Sequence, residues 1–563
     1  MFFFDCTNNR IKFEAMKKLF LLAFLVFFSC IKDEPPRYLL SVKANTGGSV
    51  SSLEGDYAEG KSVTLSATPD AEYQFVNWNS GSTQNPMTII MNANQIYFAN
   101  FEKVKYGLTL SLQGEGTISE ELVYSGRTDY NSGSIVRLTA APALGYSFTG
   151  WSGDLTSTNN PVEVDITLAK SITAVFEQKF LNTGLPVVFI NTVSSLINKE
   201  EYVEGSVSIF GGENFNDMIE TPIKIKGRGN STWLQGEIWG KKPYQIKFSN
   251  KTQVLDLPKD KKWVLLAELS DKSLIRNKIS QEMGKISRFD YVPKSEYSDV
   301  YINNSHIGTY LITQKVEESK NRVNIGDNGY LIEIDQIYRV DRGDVYFKTS
   351  LWSDYPDNIF NIKEPEIEID SDKYNLIKNH INSFESILYG ENFTDPISGY
   401  RNFIDMPSFV DWYLIHEISK SVDAAYYSSI YFNYVPGEKI KMGPIWDFDV
   451  SYGNLDFNTS AMGVAGFHVK KNKWFKRLFE DPYFHNEVKE RFKYYEANKL
   501  ELINKIDFFA NYLEKSQEKN FELWPILGVY VWPNPVFYDT YIEEVNHLKD
   551  WIKKRMYWLK NNL

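Results

Sequence analysis

The chain has 563 residues, 43% of them hydrophobic and 24% charged, with a net charge of −11. The length suggests about three or four domains, and the composition is that of a core-forming protein and not a disordered one. The acidic balance argues against a nucleic-acid surface, which needs a basic face, and the 15% aromatic content is most simply used in large cores.

From Met16, "MKKLFLLAFLVFFSC" runs from two lysines through an apolar stretch to Ser29-Cys30. That is the order of a signal peptide, expected over residues 1–30 with the true start at Met16. Cys30 after a small residue resembles a lipobox, and Lys32-Asp33-Glu34 resembles the acidic export tag of surface lipoproteins. The expectation is a cell-envelope protein, lipid-anchored at Cys30 and displayed at the outer-membrane surface. Cys6 and Cys30 are the only cysteines, so the processed chain has no disulfide framework, zinc cluster or catalytic thiol.

After a linker at 31–37, two segments repeat one pattern, 38–103 and 104–180. Both run G-S/T-V/I, then G-x-x-V-x-L-x-A-x-P, F-x-x-W, N-P and F-E. Pro69 and Pro142, Trp78 and Trp151, and Pro86 and Pro161 take matching places. Short alternating runs such as Ser62 to Ala67, separated by Gly, Asn and Pro, predict half-buried antiparallel strands. The segments resemble the divergent internalin-type (Listeria–Bacteroides) bacterial repeat, which implies two small all-β modules acting as a stalk.

"LNTGLP" at 181–186 reads as a linker, and 187–563 mixes strands with helices, an α+β class. "TPIKIKGRGNSTW" and "KKPYQIKFSN" read as two strands around a Gly-containing loop. "DKSLIRNKISQEMGKIS" reads as a helix N-capped by Asp271, with Leu274, Ile275, Ile279 and Met283 on one face. "YSDVYINNSHIGTYLITQKVE" is a hairpin turning at Asn303-Asn304, and "GYLIEID" is a strand. A helix from Ser408 to about Ser419 precedes a loop with Asp423, and helical periodicity dominates from Trp474 to the end.

After Asp423 come the strand "SSIYFNY", a Pro436-Gly437 turn, "EKIKMGPIW" and then Asp447-Phe448-Asp449. A hairpin returns the chain to its start, so Asp423 and Asp447 are expected at one cleft mouth. One carboxylate there can accept a hydroxyl proton while the other holds Mg2+ through hard oxygen ligation. Protein kinases use the same order of helix, aspartate loop, hairpin and metal-binding aspartate. Taken singly, each aspartate is adequately explained by turn chemistry. His416 lacks the second histidine of a zinc helix and reads as structural.

"IKGRGNSTW", "KKPYQIKF", "SLIRNKIS", "GTYLIT", "GYLIEID", "SVDAAYYSSIYF" and "GPIWDFDVSYGN", in this order, resemble the CotH family of atypical secreted kinase-like proteins over about 184–563. The resemblance implies an α+β kinase-like domain using ATP with Mg2+ (or Mn2+) to phosphorylate Ser in exported or cell-surface proteins. It implies Asp423 as the catalytic-loop aspartate, Asp447 as metal ligand and Asp449 as second ligand or supporting acceptor. Arg228, Lys242 and Lys247 would contact the nucleotide. Strand alternation sets Lys242 with Tyr244, Ile246 and Phe248, and Lys247 with Gln245, leaving open which face meets the cleft. Arg276 and Asn277 would lie on the counterpart of the kinase C-helix. Ser428 stands where kinases carry a second metal-binding Asn, and Gln314 where members of the family often carry Glu. Two other classes stay open: a non-catalytic surface adhesin or assembly protein, and a metal-dependent glycan hydrolase built on the paired aspartates.

Overall fold

A computed structural model describes residues 34–123, 130–341, 343–352, 357–425 and 427–563. The expected signal segment, its cysteine Cys30, and Lys32 and Asp33 lie outside the described residues. The described chain forms two compact units, one of residues up to Ala141 with Phe148–Phe176, the other of Pro142–Ser147 with Glu177–Leu563. No helix among the described residues is long and apolar enough to cross a membrane.

The two repeats fold alike. In the first, Arg37–Ala44 pairs in parallel with Gln95–Lys103, whose other edge pairs antiparallel with Tyr73–Trp78. In the second, Leu108–Gln113 pairs in parallel with Lys170–Gln178, which is flanked on its other edge by Tyr146–Gly153. Ser62–Leu65 alternates exposed and buried residues, as its pattern predicts. The shared sequence marks are the shared core. Trp78 and Trp151 are fully buried and donate their indole N–H to the carbonyls of Gln84 and Asn159, at 2.9 Å in each repeat. The Asn before each matching proline clamps the backbone of an alanine. Asn85 bonds both the N–H and C=O of Ala67, and Asn160 does the same to Ala140.

Segment 181–186, expected as a linker, is held in place. The Thr183 hydroxyl donates to Asp299, and Leu185 is buried in the core of the second unit. There the chain first builds a closed barrel, in the order Val187–Thr192, Val203–Phe210, Met218–Gly227, Tyr244–Thr252, Asp260–Leu266, Ser305–Gln314 and Ser295–Ile302. Alternate residues fill its interior, among them Ile225, Ile246, Phe248, Trp263, Leu265, Val300 and Ile312. The hairpin Ser295–Ile302 to Ser305–Gln314 turns at Asn303-Asn304, both at positive φ (48° and 67°) as a two-residue turn of that hand requires.

A five-stranded sheet follows, in the order Val345–Phe347, Asn358–Glu364, Tyr330–Gln336, Ile430–Tyr434 and Lys441–Met442. Ile332, Ile334, Phe360, Ile430 and Phe432 join the main core with helices Asp372–Leu388, Met406–Ser419 and Lys473–Leu478. Glu333, Asp335 and Tyr431 alternate with those residues onto the opposite face. The second strand of the Pro436-Gly437 hairpin keeps only Lys441–Met442, since Pro444 has no N–H to continue the ladder.

Two local differences from the sequence expectation concern the barrel. Between its third and fourth strands lies a helix, Ser231–Trp239, and not a simple loop. The helix Arg276–Lys285 begins later than Asp271 implies, yet Asp271 still receives the Arg276 N–H at 2.7 Å. Leu274, Ile275, Ile279 and Met283 are buried as expected.

Candidate functional site

The helix Met406–Ser419, capped by Asp405, ends at Lys420 in left-handed backbone (φ 47°). Lys420 turns inward and donates its ammonium to the carbonyls of Ser460, Gly463 and Ala465. One turn earlier, Glu417 forms a fully buried ion pair with Arg555 at 2.7 Å, and its carboxylate also receives the N–H groups of His468 and Lys470. Two buried charges so paired and hydrogen-bonded hold the end of the helix against the C-terminal helix Tyr541–Asn562. Asp423 leaves this anchored end in a short turn of 3-10 helix, Asp423–Ala425.

On the far side of the hairpin, the stretch Trp446 to Asn454 is pinned at every second or third residue. The Phe448 ring is buried and stacks on His416 with centroids 4.9 Å apart, so that histidine is a packing residue. The Phe448 N–H donates to Asn277 Oδ1 at 2.8 Å, and Arg276 Nε donates to the Ser451 carbonyl. Tyr452 donates its N–H to the Ser419 carbonyl at 2.7 Å and shares a hydroxyl hydrogen bond with Ser280. The helix Arg276–Lys285 is thereby fastened to the double-aspartate loop through three of its own residues.

Asp447 itself has φ 70°, a conformation that Asp tolerates better than most residues. Its carboxylate accepts from the Ser429 hydroxyl at 3.2 Å. Asp423 accepts from the Ser428 hydroxyl at 3.1 Å, and Ser428 in turn receives Arg339 Nη1 at 2.5 Å. Burial pushes the Asp423 carboxyl up to about 7, the charge of Asp447 raises it further, and Arg339 and the Ser428 hydrogen bond oppose this. Asp449 is 8% exposed and is pushed to about 8, by burial first, then by Asp447, Asp423 and Asp271. The Ser270 hydroxyl, 3.3 Å from Asp449, opposes that shift. Glu268, buried at φ 51°, is raised well above the usual range by burial and by Asp271 and Asp449, while its hydrogen bonds from Asn277 pull the other way.

The hairpin therefore does bring Asp423, Asp447 and Asp449 into one electrostatic neighbourhood. Arg228 belongs to it as well. Its guanidinium lies 5.5 Å from the centre of the Trp446 ring, and Asp447 is the carboxylate that acts on it most. The adjoining Gly227 is a packing glycine, since a Cβ there would sit 2.1 Å from the Trp233 ring. Lys242 precedes its strand and lies over the Trp233 ring, with Glu237 at 3.8 Å. Lys247 is on the outer face of the barrel, opposite in register to Lys224 and Lys262 and beside the Tyr202 ring. Neither lysine is among the groups acting on the three aspartates. Gln314 is fully buried, accepting from the Lys294 N–H and the Tyr291 hydroxyl.

Sequence reading passes over Glu333, Asp335, Arg339 and Glu268. The first two were legible in "GYLIEID", where strand alternation sets both acids on the face opposite Ile332 and Ile334. Glu333 is hydrogen-bonded to Tyr431 and pushed up to about 7, chiefly by burial. Arg339 pairs with Asp335 at 3.4 Å and feels Asp423 and Asp447.

Among the described residues, no group of three or more His, Cys, Asp or Glu side chains is already placed to hold a metal ion. The donor set nonetheless fits a hard divalent cation. Asp423, Asp447 and Asp449 offer carboxylate oxygens, and their mutual repulsion is what a cation between them relieves. The remaining ligands would have to come from a bound anion or water.

The family model described as CotH kinase protein matches residues 224–559, more than half of the chain and all of the site. The model of the divergent InlB B-repeat domain matches twice, at 38–105 and 106–180. No curated protein matches the chain. With Asp423 and Asp447 joined across a hairpin inside the matched region, the chain belongs to the CotH kinase protein family and carries two divergent InlB B-repeat domains ahead of that domain.

Proposed function

We propose that residues 187–563 form a kinase-like domain that transfers the terminal phosphoryl group of ATP to a Ser hydroxyl of an exported or cell-surface protein. The two repeats carry it on a stalk anchored through an acylated Cys30. The observation that supports this reading best is the placement of Asp423 beside Asp447, with the Asp423 carboxyl raised toward neutrality. A carboxylate so tuned is suited to accept the proton of an attacking hydroxyl near neutral pH. Asp447 would hold Mg2+ (or Mn2+), with Asp449 as second ligand or supporting acceptor. When bound, that ion neutralises charge on the transferring phosphoryl group. Arg339, through Ser428, keeps Asp423 oriented and limits its rise in pKa.

A second reading is favoured by one contact. The Ser428 hydroxyl is already engaged by Arg339 and Asp423, so it offers little to a second metal ion. A protein that binds nucleotide at the cell surface without transferring phosphate fits that arrangement. Incubation of the full chain with ATP, Mg2+ and a surface-protein extract, followed by mass spectrometry, separates the two. New phosphoserine that disappears with Asp423→Asn supports transfer. Nucleotide binding with no phosphoserine supports the binding-only reading.

A further inference from the structure

We propose that Lys315 and Arg228 together form an anion site for a polyphosphate in the cleft, with Lys315 as a ligand-binding residue that the family resemblance does not single out. This rests on the nucleotide reading above for the biological ligand, but its chemistry is that of the polyphosphate alone. Lys315 directly follows the last barrel strand, Ser305–Gln314. Among the described residues, neither the Lys315 ammonium nor the Arg228 guanidinium makes a hydrogen bond or an ion pair with a carboxylate.

The surroundings of Lys315 are unfavourable for a cation. Burial lowers its pKa to about 8, and Lys262, Lys363 and Arg228 lower it further; only Glu317 opposes them. Glu317 is already committed, to Arg322 and, at 3.1 Å, to Lys262. Lys363 is likewise neutralised, by Asp344 at 3.3 Å and Glu333 at 3.7 Å. Desolvated positive charge without a partner destabilises a fold, and the usual compensation is an anion. Arg228 links this cation to the aspartates, because Asp447 and Asp449 both act on it. An anion bridging Arg228 and Lys315 therefore reaches the carboxylates that would share its metal ion. Its multiple oxygens match one forked and one point-like donor. A chain with net charge −11 has little other reason to concentrate unpaired cations here.

The test is calorimetric titration of the full chain, with Mg2+ present, using tripolyphosphate, ATP and adenosine. Wild type is expected to bind tripolyphosphate and ATP, and Lys315→Met and Arg228→Met each to weaken both by tenfold or more. Lys315→Arg should stay within about threefold, and the distant surface variant Lys493→Met should match wild type. Lys315→Met should melt no lower than wild type without ligand, and Lys315→Gln provides an independent charge-free variant. Equal tripolyphosphate affinity in wild type and both charge-free Lys315 variants overturns the site. Binding of tripolyphosphate but not ATP keeps the anion site and sinks the nucleotide reading. Binding of adenosine alone does the opposite, and binding of none of the three overturns both.

Discussion

Ser429 donates its hydroxyl to the Asp447 carboxylate at 3.2 Å, and both residues hold left-handed backbone, at φ 58° and 70°. Two residues facing each other across the hairpin mouth thus share one strained arrangement, and the hydrogen bond fixes which way the carboxylate points. Strain of this kind is kept where geometry matters more than stability. Ser429→Ala is expected to leave the protein folded and to lower kcat/KM for phosphoryl transfer by roughly 10-fold, the worth of one hydrogen bond to a charged group. Steady-state kinetics beside a melting curve checks both halves.

The pH dependence of transfer follows from Asp423. Its carboxyl, raised to about 7, is protonated below that pH and cannot accept a proton, so kcat/KM should fall about tenfold per unit on the acid side. Arg339 holds that value down. Arg339→Met should therefore move the acidic limb to higher pH, while a merely structural role would lower the rate without moving the limb.

Asp449 gives a stability prediction of definite sign. Its folded pKa, raised to about 8, exceeds the ordinary 3.8. The folded state then holds a proton that the unfolded chain releases, so stability declines as pH rises from about 4 to about 8. Asp449→Asn should match wild type near pH 4 and be more stable by roughly 2 kcal/mol at pH 8. Urea unfolding of metal-free protein at the two pH values measures the difference, and Mg2+ with nucleotide should reduce it.

The buried pair Glu417–Arg555 should behave in the opposite way. Both side chains are fully buried, and removal of one partner strands the other charge. Glu417→Ala is expected to cost about 3–5 kcal/mol and to loosen the Asp423 turn. Hydrogen exchange at Lys420 to Ala424 reads the second effect.

Much of this site could be read from the chain because its signals are local. Pro436-Gly437 marks the turn that folds Asp447 back toward Asp423, and Asn303-Asn304 marks the neighbouring hairpin. The repeats were legible because Trp78 and Trp151, and Asn85 and Asn160, do the same work at the same spacing. The helix Ser231–Trp239 was not, because Gly236 within it and its tryptophans argue locally against a helix. Its role is tertiary, as Trp233 packs on Gly227 and receives Lys242. Lys315, Glu268 and Arg339 acquire meaning only through partners far along the chain, which periodicity cannot supply.

Nucleotide titration with and without Mg2+, run on wild type, Asp423→Asn and Asp447→Ala together with a transfer assay, is the most direct measurement of what the paired aspartates do. Asp447→Ala should bind ATP with an affinity indifferent to Mg2+ and transfer no phosphate. Asp423→Asn should keep Mg2+-dependent binding while transfer collapses. Equal Mg2+-dependent affinity in wild type and Asp447→Ala, with transfer intact in Asp423→Asn, would contradict both roles and leave the two aspartates as turn residues.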